Sequence, residues 1–158
     1  MIIISIAKIK EIPKDLDCDL QAFIHKSTGE TLIMPDPNKI EDYGLEAWEN
    51  EIETLKNNAK DYFEIKQWTS DDGYDVMRLF ANEVSNAKIR EELVEALEKN
   101  KPFRQFMLVL DHYGSIRDNW FEFKKKWQQD FVSNQLKDLF QIEPWNDICN
   151  ITLFTSLN

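Results

Sequence analysis

The chain has 158 residues and a formal net charge of −10, from 29 acids against 19 bases; it is sized for one domain and long enough to bury a core without staples. Hydrophobic residues make up 42% and aromatic residues 12%, with ten Phe, five Trp and four Tyr, a supply of core side chains that excludes a disordered chain. Two cysteines and two histidines, all isolated, leave no paired spacing for a structural zinc, and the acidity disfavours nonspecific binding to nucleic acid or anionic membranes.

The start, Met1 to Ala7, is apolar but brief and is interrupted by Lys8 and Lys10. It lacks a basic leader, a cleavage site and the roughly 20 apolar residues of a membrane span, so it reads as a buried strand or the first turns of a core helix. Residues 21–34 read as a β-hairpin, two β-prone runs around a polar turn in which Gly29 supplies a positive φ. Pro35 and Pro37 close the second run, because proline cannot donate to a ladder. From Asp42 to Lys60, the residues Leu45, Trp48, Ile52, Leu55 and Ala59 recur at spacings of three and four, which predicts an amphipathic helix. A third strand is expected over residues 62–68, where Phe63 and Ile65 share a face, followed by turn chemistry at Ser70-Asp71-Asp72-Gly73.

Helices follow over 74–84, 86–99 and 102–112, with Pro102 placed at a first turn where a missing N–H is harmless. Gly114 is read as a break, and a long helix over 116–140. On it Trp120, Phe123, Trp127 and Phe131 form one apolar stripe; Phe121, Val132, Leu136 and Leu139 form a second. Ile148 to Leu153 reads as a strand or a disordered end. The fold class is therefore α+β: a small antiparallel sheet of about three strands, packed by about five helices, with an all-helical C-terminal half. Residues 1–142 are taken as a single domain and 143–158 as a tail. The charge is polarised, with −6 in residues 1–70, −4 in residues 71–100, and none in residues 101–158.

The run Lys101-Pro102-Phe103-Arg104-Gln105-Phe106, then Trp120-Phe121-Glu122-Phe123, resembles the C-terminal signature of the bacterial uncharacterised protein family 0158 (UPF0158). Met77-Arg78-Leu79-Phe80, Leu93-Val94-Glu95-Ala96-Leu97 and the turn Lys26-Ser27-Thr28-Gly29-Glu30 resemble it too, so the likeness covers most of residues 9–140. Gln105 stands where that family carries a second basic residue. The resemblance supports the fold and implies no activity, cofactor or site.

Candidate chemistry is sparse. His25 near the hairpin turn is expected to be solvent-exposed, and His112 to cap a helix C-terminus. Asp71-Asp72, Glu91-Glu92 and Asp15-Asp17-Asp19 read as solvated acidic turns; the last set fails as a calcium loop, because Leu20 and Lys26 occupy its glycine and twelfth-position acid. Four glycines make no phosphate cradle. No catalytic, metal-binding or cofactor-binding residue is assigned, and no cofactor is expected. Cys18 and Cys149 are read as reduced thiols of a cytoplasmic protein, with one disulfide between them as the alternative.

One constellation is left: Arg104 with Phe106, Trp120, Phe121 and Lys124, a candidate groove for an anion or a peptide. Its alternative is an Arg104 paired with an internal acid, with the aromatics in the core. The expected function is a non-enzymatic protein-interaction or regulatory module with a basic protein partner. A nucleic-acid-associated protein using Lys124-Lys125-Lys126, Arg117 and Arg104, or an enzyme with a spatially assembled site, stand behind it. No membrane association is expected, and the oligomeric state is open.

Overall fold

A computed structural model describes residues 1–39 and 44–143. In chain order the elements are β1 (Ile3–Ile4), α1 (Ile6–Asp17), β2 (Leu20–His25), β3 (Thr31–Pro35), α2 (Glu49–Asn58), β4 (Tyr62–Ile65), α3 (Ser70–Glu83), α4 (Ala87–Glu98), α5 (Pro102–His112), α6 (Gly114–Leu136) and β5 (Gln141–Ile142). The fold is α+β with a helical C-terminal half. The described residues form two compact units, residues 1–67 with 129–143, and residues 68–128. α6 contributes to both.

In the first unit the expected hairpin forms. β2 lies between β3 and β4 in an antiparallel sheet, with Phe23 opposite Leu32 and Glu64, and Ile24 opposite Thr31 and Phe63. Gly29 adopts φ 71°, and a Cβ there would stand 3.4 Å from Ile2 Cγ2, so both its backbone and its neighbours favour glycine. α1 packs on β2 with Ile9, Ile12, Pro13 and Leu16 buried. The sequence reading took Met1 to Ala7 as a buried strand or the first turns of a core helix and assigned no element over residues 8–17; α1 carries Pro13 inside it. The structure accommodates that proline by burying it among apolar neighbours, and the Ser5 hydroxyl caps the first turn.

Three other boundaries differ from expectation. The third strand stops at Ile65, because the Gln135 amide takes the backbone of Lys66: the Lys66 N–H donates to Gln135 Oε1 (2.9 Å) and Gln135 Nε2 donates to the Lys66 carbonyl (3.0 Å). The long helix runs 114–136 instead of 116–140. Beyond it, Gln141 and Glu143 donate to the carbonyls of Ile2 and Ile4, making β1 and β5 a parallel pair unforeseen in the sequence. The 42–60 helix is shorter, with 3₁₀ turns at Glu46–Trp48 and Ala59–Asp61 flanking α2. Its start at Asp42, Cys149 and the strand proposed at Ile148–Leu153 lie outside the described residues. Cys18 is exposed and its thiol is free.

The second unit is helical, with a core of Val76, Met77, Phe80, Ala81, Val84, Ile89, Leu93, Leu97, Phe106, Leu110 and Trp120. Those on α3, α4 and α5 are the positions that a 3.6-residue period places inward, while Val84 follows α3 and Trp120 comes from α6. Phe80 is the aromatic hub, meeting Trp120 and Phe123 edge-on at 5.4 Å and Phe106 at 6.3 Å. The Tyr113 hydroxyl donates to the Glu92 carboxylate at 3.0 and 3.1 Å; that bond raises the pKa of the phenol.

Candidate functional site

Thr69 begins the site. Its hydroxyl accepts the Asp72 N–H (3.2 Å), while Asp72 Oδ2 accepts from the Thr69 N–H (2.7 Å) and hydroxyl (2.9 Å), a reciprocal capping box. Residues 70–73 are therefore the first turn of α3 and not a free turn. Their turn-forming composition is also N-terminal helix composition, and only the cap geometry tells the two apart.

With α3 started at Ser70, Gly73, Val76 and Met77 share one face at helical spacing. Phe103 and Met107 (i, i+4) do the same on α5, and Trp120, Phe121, Lys124, Trp127 and Gln128 on α6. With Trp68 and Thr69 these faces line an open cleft of about 470 Å³, wholly within residues 68–128. Its floor is core: Trp120 is buried and packs against Phe106 at 5.0 Å. Trp68 and Trp127 meet edge-on at 6.3 Å.

The lips are not core. Phe103 is 41% exposed and Phe121 44% exposed, the latter carrying the Arg117 guanidinium 5.3 Å from its ring centre. Gly73 has a purpose here. A Cβ would sit 3.3 Å from Phe103 Cε1, so the bare backbone lets that ring lie across the first turn of α3.

Among the described residues that line the cleft, Lys124 is the one charged group. Asp71, Asp72 and Glu122 adjoin lining residues in sequence but do not line the cleft. Residues 68–128 carry eleven acids and ten bases, whereas the rest of the chain carries eighteen against nine. The acid excess thus lies outside this unit.

Of the five residues expected to form a groove, Trp120, Phe121 and Lys124 are brought together. Phe106 packs against Trp120 from within the core without lining the cleft, and Arg104 is exposed on α5, does not line it, and has no ion pair among the described residues. The helical period is the reason. Phe103 and Met107 differ by about 40° around α5, while Arg104 stands about 100° away from Phe103. Carrying the period of α5 as far as that of α6 would have found Phe103 and Met107. Trp68, Ser70 and Met77 carry no sequence signal that ties them to the cleft.

The remaining candidates have local structural roles. His25 is half-buried instead of exposed: its Nδ1 accepts the N–H groups of Ser27 (3.3 Å) and Thr28 (3.2 Å), and Tyr62 meets its ring edge-on at 5.0 Å. His112 ends α5 and is exposed. Asp15 and Asp17 belong to the last turn of α1, and Asp19 takes φ 59° just beyond it. Burial, then the neighbouring Glu11 charge, pushes the Asp15 carboxyl above its ordinary 3.8. Lys125 is exposed whereas Lys124 and Lys126 are half-buried, and Arg117 pairs with Asp111 at 3.2 Å, so these cations do not form one patch.

Among the described residues no group of three or more His, Cys, Asp or Glu side chains could hold a metal ion, and no helix is long and apolar enough to cross a membrane. A family model described as an uncharacterised protein family, UPF0158, matches residues 1–145. No curated protein and no solved structure matches the chain.

Proposed function

The chain belongs to the uncharacterised family UPF0158, and we propose that it is a non-enzymatic binding module whose α3–α5–α6 cleft receives a bulky apolar side chain of a protein partner. One observation carries this reading: an open, aromatic-walled cleft keeps two large rings, Phe103 and Phe121, more than 40% exposed beside a buried floor. Interface anchors are seated in such places, with an aromatic pocket at the centre and polar groups at the rim. Thr69, Ser70 and Lys124 supply that rim. Met77 and Met107 add unbranched, polarisable walls that adapt to different shapes.

The volume is within the roughly 300–1,000 Å³ of ligand sites. The exposed lips favour an anchor delivered by a larger surface, which would cover Phe103 and Phe121 together with the cleft. The excess acid elsewhere in the chain favours approach of a basic partner by long-range attraction, an effect on association rate that salt would weaken.

Methionine methyl NMR tests the cleft directly, because the chain's four methionines include two in the cleft and two outside it. On titration with indole, the Met77 and Met107 methyl signals should shift in a saturable way and the Met34 signal should stay fixed. Phe121→Ala should weaken the response several-fold. Equal shifts at Met34, or none at Met77 and Met107 at millimolar indole, would sink the proposal.

A further inference from the structure

We infer that residues 148–157 of this same chain dock in the cleft, with Phe154 as the anchoring side chain, so that a partner binds by displacing them. The inference rests on the binding reading above and names what holds the cleft when no partner is present.

Residues 148–157 lie beyond those described, and their composition is the first support. The chain carries 29 acids and 19 bases, yet residues 148–158 contain no charged side chain; Ile148, Ile151, Leu153, Phe154 and Leu157 alternate there with Asn, Thr and Ser. An uncharged apolar run of this kind is unfavourable in water and prone to association when left there. The cleft offers matching chemistry. Phe103, Met107, Phe121 and Trp127 give it apolar walls, and Thr69 and Ser70 give it neutral hydroxyls at the rim. Lys124 already has an interaction within the chain, so the cleft asks its occupant for no counter-charge. A segment laid across it covers Phe103 and Phe121, the two exposed lips.

Reach is the second support. Gln128 lines the cleft on α6, and that helix continues to Leu136, about 12 Å further at 1.5 Å per residue. From Leu136 to Glu143 the chain adds at most about 25 Å. From Glu143 to Phe154 an extended chain spans up to about 40 Å. The anchor can therefore return to the Gln128 end of the cleft whatever path the intervening residues take. Covalent attachment also supplies an effective concentration on the order of millimolar, so even a millimolar docking constant keeps the cleft occupied about half of the time. The apparent affinity of a partner falls in proportion to the fraction of cleft that is filled.

Paramagnetic broadening of the methionine methyl signals tests this in the full chain. Cys18→Ser leaves Cys149 as the single thiol, which places a nitroxide label inside the segment. The Met77 and Met107 signals should broaden, saturating indole should reverse the effect, and adding Phe154→Ser should remove most of it. In the unlabelled chain Phe154→Ser should move the same two signals and tighten indole binding about threefold, because the competing side chain is gone.

No broadening at Met77 and Met107, with indole bound equally well with and without Phe154→Ser, would overturn this inference and leave the cleft as a binding site. Loss of the indole response in every form would overturn both. Broadening that passes from labelled chains to the methyls of unlabelled chains in a mixture would make a second copy the donor of the segment, and overturns the inference too. Thermal midpoints within a few degrees of wild type establish that Phe154→Ser is folded. The labelled Cys18→Ser chain keeps Phe154, so its broadening decides the question even where that variant is not tolerated.

Discussion

Phe80 and Phe121 have the same side chain and opposite duties. Phe80 is 6% exposed and touches three other rings, so Phe80→Ala is expected to cost about 3–5 kcal/mol through lost transfer energy and an unfilled cavity. Phe121 is 44% exposed and meets the Arg117 guanidinium on its face; Phe121→Ala should cost within about 1 kcal/mol. Urea denaturation of the two variants checks the contrast, and equal losses would mean that Phe121 is a core residue and not a lip. Asp15 gives a pH-dependent case. Its pKa is raised in the folded chain, so the folded state binds the proton more tightly than the unfolded one. Stability from this group is therefore present below its ordinary 3.8 and is lost as pH rises through the higher folded value. Asp15→Asn should raise the thermal midpoint slightly at pH 7, the gain fading below about pH 4 where both states hold the proton. A gain that persists unchanged at pH 3 would assign the effect to something other than ionisation.

At the scale of elements, caps and joints decide what the apolar period leaves open. The α4–α5 joint passes through Lys101, which takes φ 58° and ψ 59° with no side-chain cap bond before Pro102 opens α5. That left-handed conformation costs a non-glycine residue roughly 1–2 kcal/mol, and glycine returns part of the difference through its freer unfolded chain. Lys101→Gly should therefore stabilise by about 0.5–1 kcal/mol, read as a higher urea midpoint at unchanged m-value. A loss of stability would show that the lysine makes a compensating contact. Phe103 and Met107 follow directly from where this joint starts α5, which is why the same proline serves both the helix and the cleft wall.

Across the whole molecule, charge and chain order part company. By sequence the acid sits in residues 1–100, but folding groups the acidic α3 and α4 with the basic stretch at Lys124-Lys125-Lys126, and residues 68–128 are left nearly balanced. The excess of nine acids elsewhere repels itself. Raising salt from about 0.05 M to about 0.5 M should lift the thermal midpoint by a few degrees, since screening this repulsion outweighs weakening the exposed i,i+3 and i,i+4 pairs such as Lys14–Glu11 and Lys99–Glu95. A midpoint that falls with salt would mean that those pairs dominate. The sequence by itself determined the hairpin around Gly29, the helices of the second unit and their buried faces, because each depends on a period or a turn residue within a few positions. Only tertiary structure decided that Gln141 and Ile142 pair with Ile3 and Ile4, that Gln135 ends β4 at Lys66, and that Phe103 and Met107, in place of Arg104 and Phe106, line the cleft with Trp120, Phe121 and Lys124. Those outcomes join residues far apart in sequence, and the free energy of such contacts depends on which faces meet, a quantity that no local spacing contains.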